Sequence, residues 1–324
     1  MFKYRYFYAI KAKKLVYEKG CDYLQTRVRL PRKVIPNIAL YCDWVIWDKE
    51  NIYIDSSVSP KLIYVRSDMD ALNYFIENIL KKIRSDYVLV TSSHDLPMPL
   101  GFQRKYDLDW RTIVDDGYLK AWFTENMDIN HEKIHSIPLG LPHPDLQSWV
   151  SNSSDGLIWD AGSFEMMNGL REDDRANKIF GCWRSRINHS SGTCHENDNE
   201  RKQAYEYFLD KKEIFDWYEP GISHLQFMRK MGEYQFVLCP HGGGLDPNPK
   251  CWEALIMRAI PIIKKNTMSD SLEHLPVVVV NDWSDVTRDN LDVWKETYSS
   301  RLHAPDLEYM MSNSYYIRKM LEYV

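Results

Sequence analysis

Short, largely apolar runs recur along this chain, most of them followed by a segment long enough for a helix. That alternation constrains the fold more than any other feature. In the first half IALYCDWVIW (38–47), KLIYVR (61–66) and YVLVT (87–91) read as strands. In the second half KIFGCW (178–183), YQFVLC (234–239), AIPIIK (259–264) and PVVVV (276–280) do so. Between them Leu72, Phe75, Ile76, Ile79, Leu80 and Ile83 return at helical spacing. LKAWFTENM (119–127) is expected as a helix and KIHSIPLGL (133–141) as a strand broken at Pro142. Further helices are expected over about 201–209, after Ser223, from Pro249, near 285–298 and over 305–322. Runs with no polar alternation are strands buried on both faces, which means parallel sheets covered by helices. The pattern loosens between Pro142 and Asn177. The chain therefore reads as α/β, with one Rossmann-like domain over residues 1–150 and a second over 151–324. The C-terminal helix is expected to pack back on the first.

A chain of 324 residues suits two such domains, and 44% hydrophobic with 27% charged residues excludes a disordered polymer. A formal net charge of −5 argues against a general nucleic-acid binder. No apolar run reaches the roughly 20 residues that cross a bilayer. The opening MFKYRYFYAIKAKKLVYEKG has no apolar core of a signal peptide, so a soluble cytoplasmic protein is expected. The cysteines (Cys21, Cys42, Cys182, Cys194, Cys239, Cys251) include no CxxC pair, which points to reduced thiols. Cys182, Cys194, His195, Cys239 and His241 lack the spacing of a zinc site.

The stretch FVLCPHGGGLDPNPKCWEAL (236–255) carries the chemistry. His241-Gly242-Gly243-Gly244 is also the string with which esterases build an oxyanion hole, but the chain has no GxSxG nucleophile elbow and the loop comes too late. A P-loop GxxxxGK[ST] is absent as well. A diphosphate suits the flanks better. The loop leaves the carboxyl end of a buried strand, Asn248 can cap the next helix, and Pro249 suits its first position. The amides of the first turn then face an anion, Lys250 adds a full charge, and Glu253 can accept hydrogen bonds from two ribose hydroxyls. The competing reading makes Glu253 a surface residue and the glycines a plain turn.

The run FVLCPHGGGLDPNPKCWEALIMRAIPIIKKNTMSDSLEHLPVVVV resembles the donor-binding segment of exostosin-like glycosyltransferases: apolar strand, Cys-Pro, glycine loop with Asp (here Asp246), Trp-Glu-Ala-Leu, Ile-Pro-Ile. SDYVLVTSSHDLPMP, LKAWFTENMDINHEKIHSIPLGL and NERKQAYEYF resemble further segments of that family, the last carrying an arginine for the donor phosphates, here Arg201. The likeness covers most of residues 60–285. It departs where the family often has His-Arg after the loop Asp; here Pro247 to Cys251 intervene, and Lys250 stands nearest that arginine's place.

The resemblance implies a GT-B architecture, two Rossmann-like domains facing across a cleft with the donor nucleotide in the second. It implies transfer from a nucleotide-sugar, UDP-linked by preference, to a glycan or glycoprotein hydroxyl, with inversion and no essential metal or other cofactor. Many relatives carry a membrane anchor that is not seen here, which suggests a cytosolic or pathogen-type enzyme, viral ones included. The leaving diphosphate then falls to the amides of Gly242 to Gly244, His241, Lys250 and Arg201, with Arg184 and Arg186 as second choices. The acceptor's base is expected after strand 87–91, as Asp95 or its neighbour His94; otherwise Asp95 makes an Asx-turn. Two other readings stand beside this one. A GT-A enzyme would hold a divalent metal on Asp68-Met69-Asp70 or Asp107-Leu108-Asp109, although Asp68 and Asp70 also sit where a helix cap belongs. A non-catalytic module would keep the fold and use its 11 Trp and 21 Tyr to stack on glycans.

Overall fold

The computed structural model describes residues 38–55, 57–140, 174–183 and 200–324. They divide into two compact units, one formed by Asn37–Pro138 with Ser312–Val324 and the other by Leu139–Met311. Arg184, Arg186, Cys194 and His195 lie outside the described residues.

The first unit is built on a six-stranded sheet: β1 (Trp44–Asp48), β2 (Asn51–Ile54), β3 (Leu62–Arg66), β4 (Tyr87–Ser92), β5 (Leu119–Thr124) and β6 (Ile134–Ser136). Their order is β2-β1-β3-β4-β5-β6. All neighbours are parallel except the β1–β2 hairpin, whose turn Asp48 closes by accepting the amides of Glu50 and Asn51 at 2.9 Å. Every side chain of β4 is buried, as a central parallel strand requires. Between β4 and β5 the Trp122 Nε1–H donates to Thr91 Oγ1 (2.8 Å), and the Thr91 hydroxyl donates to that of Thr124 (2.7 Å), so this fully buried indole is satisfied. The apolar stripe after β3 is α1 (Met69–Tyr74), which runs on as a π turn (Phe75–Ile79) and a 3-10 turn (Leu80–Lys82). Two short helices follow β4, α2 (Leu100–Tyr106) and α3 (Arg111–Val114).

Three expectations for this half are corrected. The run 38–47 is not one strand: Ile38–Tyr41 is a 3-10 turn, and the strand begins at Trp44 once Asp43 has accepted the amides of Lys61 and Leu62. LKAWFTENM is not a helix. Leu119–Thr124 pairs in parallel with β4, and the chain then turns through Asn126 in the left-handed region (φ 55°). A short run apolar on both faces carries no helical period to separate it from a buried strand, and Trp, Phe and Thr favour the strand. The segment 133–141 contributes only Ile134–Ser136 to the sheet.

In the second unit β7 (Ala176–Gly181), α4 (Glu200–Phe208), β8 (Phe215–Trp217), α5 (His224–Gly232), β9 (Tyr234–Leu238), α6 (Pro249–Ile256), β10 (Ile260–Lys264) and β11 (Val278–Val280) alternate before α7 (Arg288–Leu302) and α8 (Leu307–Met310). The sheet is parallel throughout, in the order β11-β10-β9-β7-β8. Ser223 caps α5 in a full capping box with Gln226. The helix expected over 305–322 is two helices, since Ser312 ends α8 and caps α9 (Asn313–Leu321), which belongs to the first unit. There Tyr323 meets the rings of Phe123 and His135 at 5.7 and 5.0 Å. The observed class is α/β with two Rossmann-like, predominantly parallel sheets, one in each unit. Among the described residues no helix is long and apolar enough to cross a membrane.

Candidate functional site

In chain order the strands of the second sheet are laid down 2-1-3-4-5: β8 lies on one side of β7, and β9 with its successors on the other. The connections leaving β7 and β9 therefore part in opposite directions, and ligands of open α/β sheets bind at the carboxyl ends of strands at such a switch point. The residues found there are Cys182 and Trp183 after β7, and Cys239 to Lys250 after β9.

The glycine loop is held from both ends by its own polar residues. Asn248 caps α6 by accepting the Lys250 amide (3.0 Å), while its side-chain amide donates to the Pro240 carbonyl (2.9 Å). Pro249 takes the first helical position, as expected. Asn248 adopts φ 68° and ψ 171°, a region that is nearly glycine's alone and costs about 1–3 kcal/mol, so the cap and tie act against local strain. Asp246 is buried and both its oxygens accept backbone amides, from Asn248 (2.7 Å) and Leu139 (2.9 Å). These bonds give Asp246 a role in shaping the loop. Asn266 adds a tie to the Leu245 carbonyl (2.7 Å).

The positive groups converge on this loop. Arg201, on α4, donates from Nε to the His241 carbonyl (3.1 Å), while its own carbonyl accepts the Trp183 indole N–H (3.2 Å). A Cβ on Gly242 would lie 2.8 Å from the Arg201 guanidinium, so with a larger residue at the second loop position the arginine would have to shift. Lys250 is 7% exposed and its ammonium sits 5.0 Å over the Trp183 ring. Its Nζ has no hydrogen-bond partner among the described residues. Burial lowers its pKa to about 8, with Arg201 pushing the same way and Cys239, Cys182 and Glu253 opposing. An ammonium left unpaired inside a protein costs about 1–3 kcal/mol or more, which an anion in the site would offset. Glu253 is also buried, at 9% exposure, so it is not a surface residue of its helix. Cys239 and Cys251 are buried free thiols, and contact with Cys239 together with burial pushes the Cys251 thiol well up.

Sequence reasoning missed Glu200. Its carboxylate accepts the His241 amide at Oε1 (3.0 Å) and meets the His241 ring at Nε2 with Oε2 (2.9 Å). The contact joins residues 41 positions apart, and no local pattern announces it.

At the carboxyl ends of β4 and β5 in the first unit, Ser93 (φ 77°) and Asn126 (φ 55°) are both left-handed non-glycine residues. Glu125 Oε2 accepts the Ser93 amide (2.8 Å), and the Asn126 side chain donates to the His94 carbonyl (2.8 Å). Glu125 and Asn126 thus fix the loop that carries both base candidates, and they too went unread. His94 Nδ1 accepts the Leu96 amide (2.8 Å), which leaves the proton of the neutral ring on Nε2. Burial lowers the His94 pKa, with Asp95 the largest opposing influence. A ring that is neutral and protonated at Nε2 donates there and takes no proton; Asp95 beside it is exposed. The Leu96 amide donates to His94 Nδ1, and the Met98 amide donates to the Asn126 carbonyl (2.9 Å).

The aspartates of the two pairs considered for metal sit at or near helix ends. Asp68 caps α1 by accepting the Ala71 amide (2.9 Å) and pairs with Arg66 (3.0 Å). Asp70 lies in the first turn of the same helix. Asp107 ends α2 in the left-handed region, and Asp109 accepts the Thr112 hydroxyl (3.0 Å).

No protein-family profile matches this chain, and no curated protein does. Among solved structures it is similar to an alpha1,3-fucosyltransferase, at 11% identity and a TM-score of 0.39 over 83% of this chain and 80% of that one. It is also similar to WaaG, a glycosyltransferase involved in lipopolysaccharide biosynthesis, at 10% identity and a TM-score of 0.30 over 81% of this chain and 90% of that one.

Proposed function

We propose that this chain is a glycosyltransferase of the GT-B type that moves a sugar from a nucleotide-sugar to a hydroxyl of a glycan or glycoprotein. The observation that carries the reading is the buried Lys250 ammonium beside Arg201 at the switch point, in the first turn of α6, with no hydrogen-bond partner among the described residues. Two cations, the amides of Gly242 to Gly244 and a helix N-terminus make a fixed electrostatic cradle for a diphosphate, able to stabilise its charge as it departs. A UDP-linked sugar and an exostosin-like lineage are the finer form of the proposal, supported by the Trp252-Glu253 pair and the Ile-Pro-Ile strand that follows it. Asp95 takes the acceptor's proton, and attack opposite the leaving group inverts the anomeric carbon. No essential metal is invoked, because the cradle supplies the positive charge.

The test is a thermal-shift panel of UDP, GDP and their sugar conjugates, since a ligand of the folded state raises Tm by mass action. A donor is expected to raise Tm, and its turnover to persist in EDTA. Loss of turnover on chelation, restored by manganese, would return the role to Asp68 and Asp70. Binding with no turnover would favour a glycan-binding module.

Glu253 provides a second measurement. Glu253→Ala is expected to weaken UDP binding by about 1.5–3 kcal/mol, the range for hydrogen bonds to a charged group, because two ribose hydroxyls lose their acceptor. The 2′-deoxynucleotide should discriminate less between the variant and the parent. Equal affinity of the two proteins for UDP would place the ribose elsewhere.

A further inference from the structure

His241 stands at the root of the glycine loop, 7% exposed, with its two ring nitrogens in different circumstances. Nε2 meets the Glu200 carboxylate at 2.9 Å, and the same carboxylate grips the His241 backbone amide at 3.0 Å, so both ring and backbone are held by one group. Nδ1 is buried and has no hydrogen-bond partner among the described residues. The Arg201 bond to the His241 carbonyl fixes the residue from its other side. A carboxylate on one imidazole nitrogen orients the ring, sets which nitrogen carries the proton and stabilises the imidazolium when the second nitrogen is protonated. Such a ring can hand a proton over from Nδ1. Its position on the loop between β9 and α6 puts it on the leaving-group side of the reaction, with Lys250 and Arg201.

We infer that His241 donates a proton from Nδ1 to the departing diphosphate, with Glu200 as its positioning residue. This rests on the proposed reading of the loop as a donor site. In the step, the acceptor oxygen forms a bond to the anomeric carbon while the bond from that carbon to the phosphate oxygen breaks. The electron pair of the breaking bond goes to the phosphate oxygen, which takes the Nδ1 proton. The acceptor's own proton goes to its base, and His241 regains its proton from water that enters the vacated diphosphate site.

The test uses the full chain and the sugar nucleotide of the UDP-linked panel that the parent turns over fastest. His241→Ala keeps the backbone amide that Glu200 grips. Its turnover is expected to fall by roughly 10²- to 10⁴-fold, the usual worth of a positioned general acid, with UDP affinity close to the parent's and a lower Tm from the cavity and the Glu200 carboxylate left behind. Added imidazole should restore turnover, because the cavity left by the side chain admits it. Across substituted imidazoles, compared at a pH where all are protonated, the more acidic should rescue faster, as Brønsted behaviour of an acid requires. Glu200→Gln, which leaves His241 intact, should lower turnover without weakening UDP binding, and it carries the test if His241→Ala does not fold. Normal turnover in either variant overturns the inference, as does a parallel loss of UDP affinity or a folded His241→Ala that imidazole does not rescue. Faster rescue by the more basic imidazoles would make His241 a base and overturn it too. A parent that turns over no sugar nucleotide removes the donor-site reading itself, and that result is read from the parent alone.

Discussion

Replacing Asp95 by Asn is expected to lower turnover of a nucleotide-sugar by roughly 10²- to 10⁴-fold while leaving its binding unchanged. The substitution keeps the size of the side chain and much of its hydrogen bonding, but an amide cannot accept the acceptor's proton. Binding is spared because the nucleotide cradle belongs to the other unit, on β7, β9, α4 and α6. A calorimetric titration with UDP, a melting curve and initial rates on the same preparation are sufficient. Near-normal rates would take the base role away from Asp95. A lower Tm would show its carboxylate to be holding the loop.

Lys250→Met should move binding and stability in opposite directions. Methionine fills a similar volume over Trp183 without the charge, so the unfavourable burial of an unpaired ammonium is relieved. A pKa of about 8 against 10.5 for an ordinary lysine corresponds to a gain on the order of 3 kcal/mol at neutral pH. The pH dependence has a definite sign. The folded pKa is the lower one, so the parent carries the full penalty below about pH 8 and sheds it as the pH rises toward 10.5. The stability advantage of Lys250→Met should therefore shrink across that window. Affinity for UDP should fall by about 1.5–3 kcal/mol, since the diphosphate loses a charged donor. In the parent, that affinity should itself decline above pH 8, where the free protein gives up the Lys250 proton that the bound phosphates favour. A variant that binds UDP as tightly as the parent would place the ammonium away from any ligand.

The segment from β9 to β10 was legible almost residue by residue, because each of its signals is local. Five consecutive buried residues make the strand, Asn248-Pro249 starts the helix, and Ile260–Lys264 resumes the sheet. Leu119–Thr124 was not legible as a strand, since six residues buried on both faces show no period to count. Phe215–Trp217 is three residues long and gives even less to read. In the site the limit is sequence distance. Lys250 and Asn248 follow from a helix start, but the Glu200–His241 grip and the passage of Arg201 over Gly242 exist only after two segments about 40 residues apart have met. The switch point is likewise a property of strand order, which no single run of residues states.

The return of the chain to its first unit sets an order of manufacture. Ser312–Val324 belong to the unit that holds the first sheet, yet a ribosome makes them after all of Leu139–Met311. Domains otherwise tend to fold as they emerge, the N-terminal one first. Here Phe123 and His135 lack the Tyr323 ring until the residues that follow α9 are released. A messenger truncated near codon 311 would therefore yield a finished second unit attached to an unfinished first, and quality control would meet its exposed aromatic face on the half that was translated earliest.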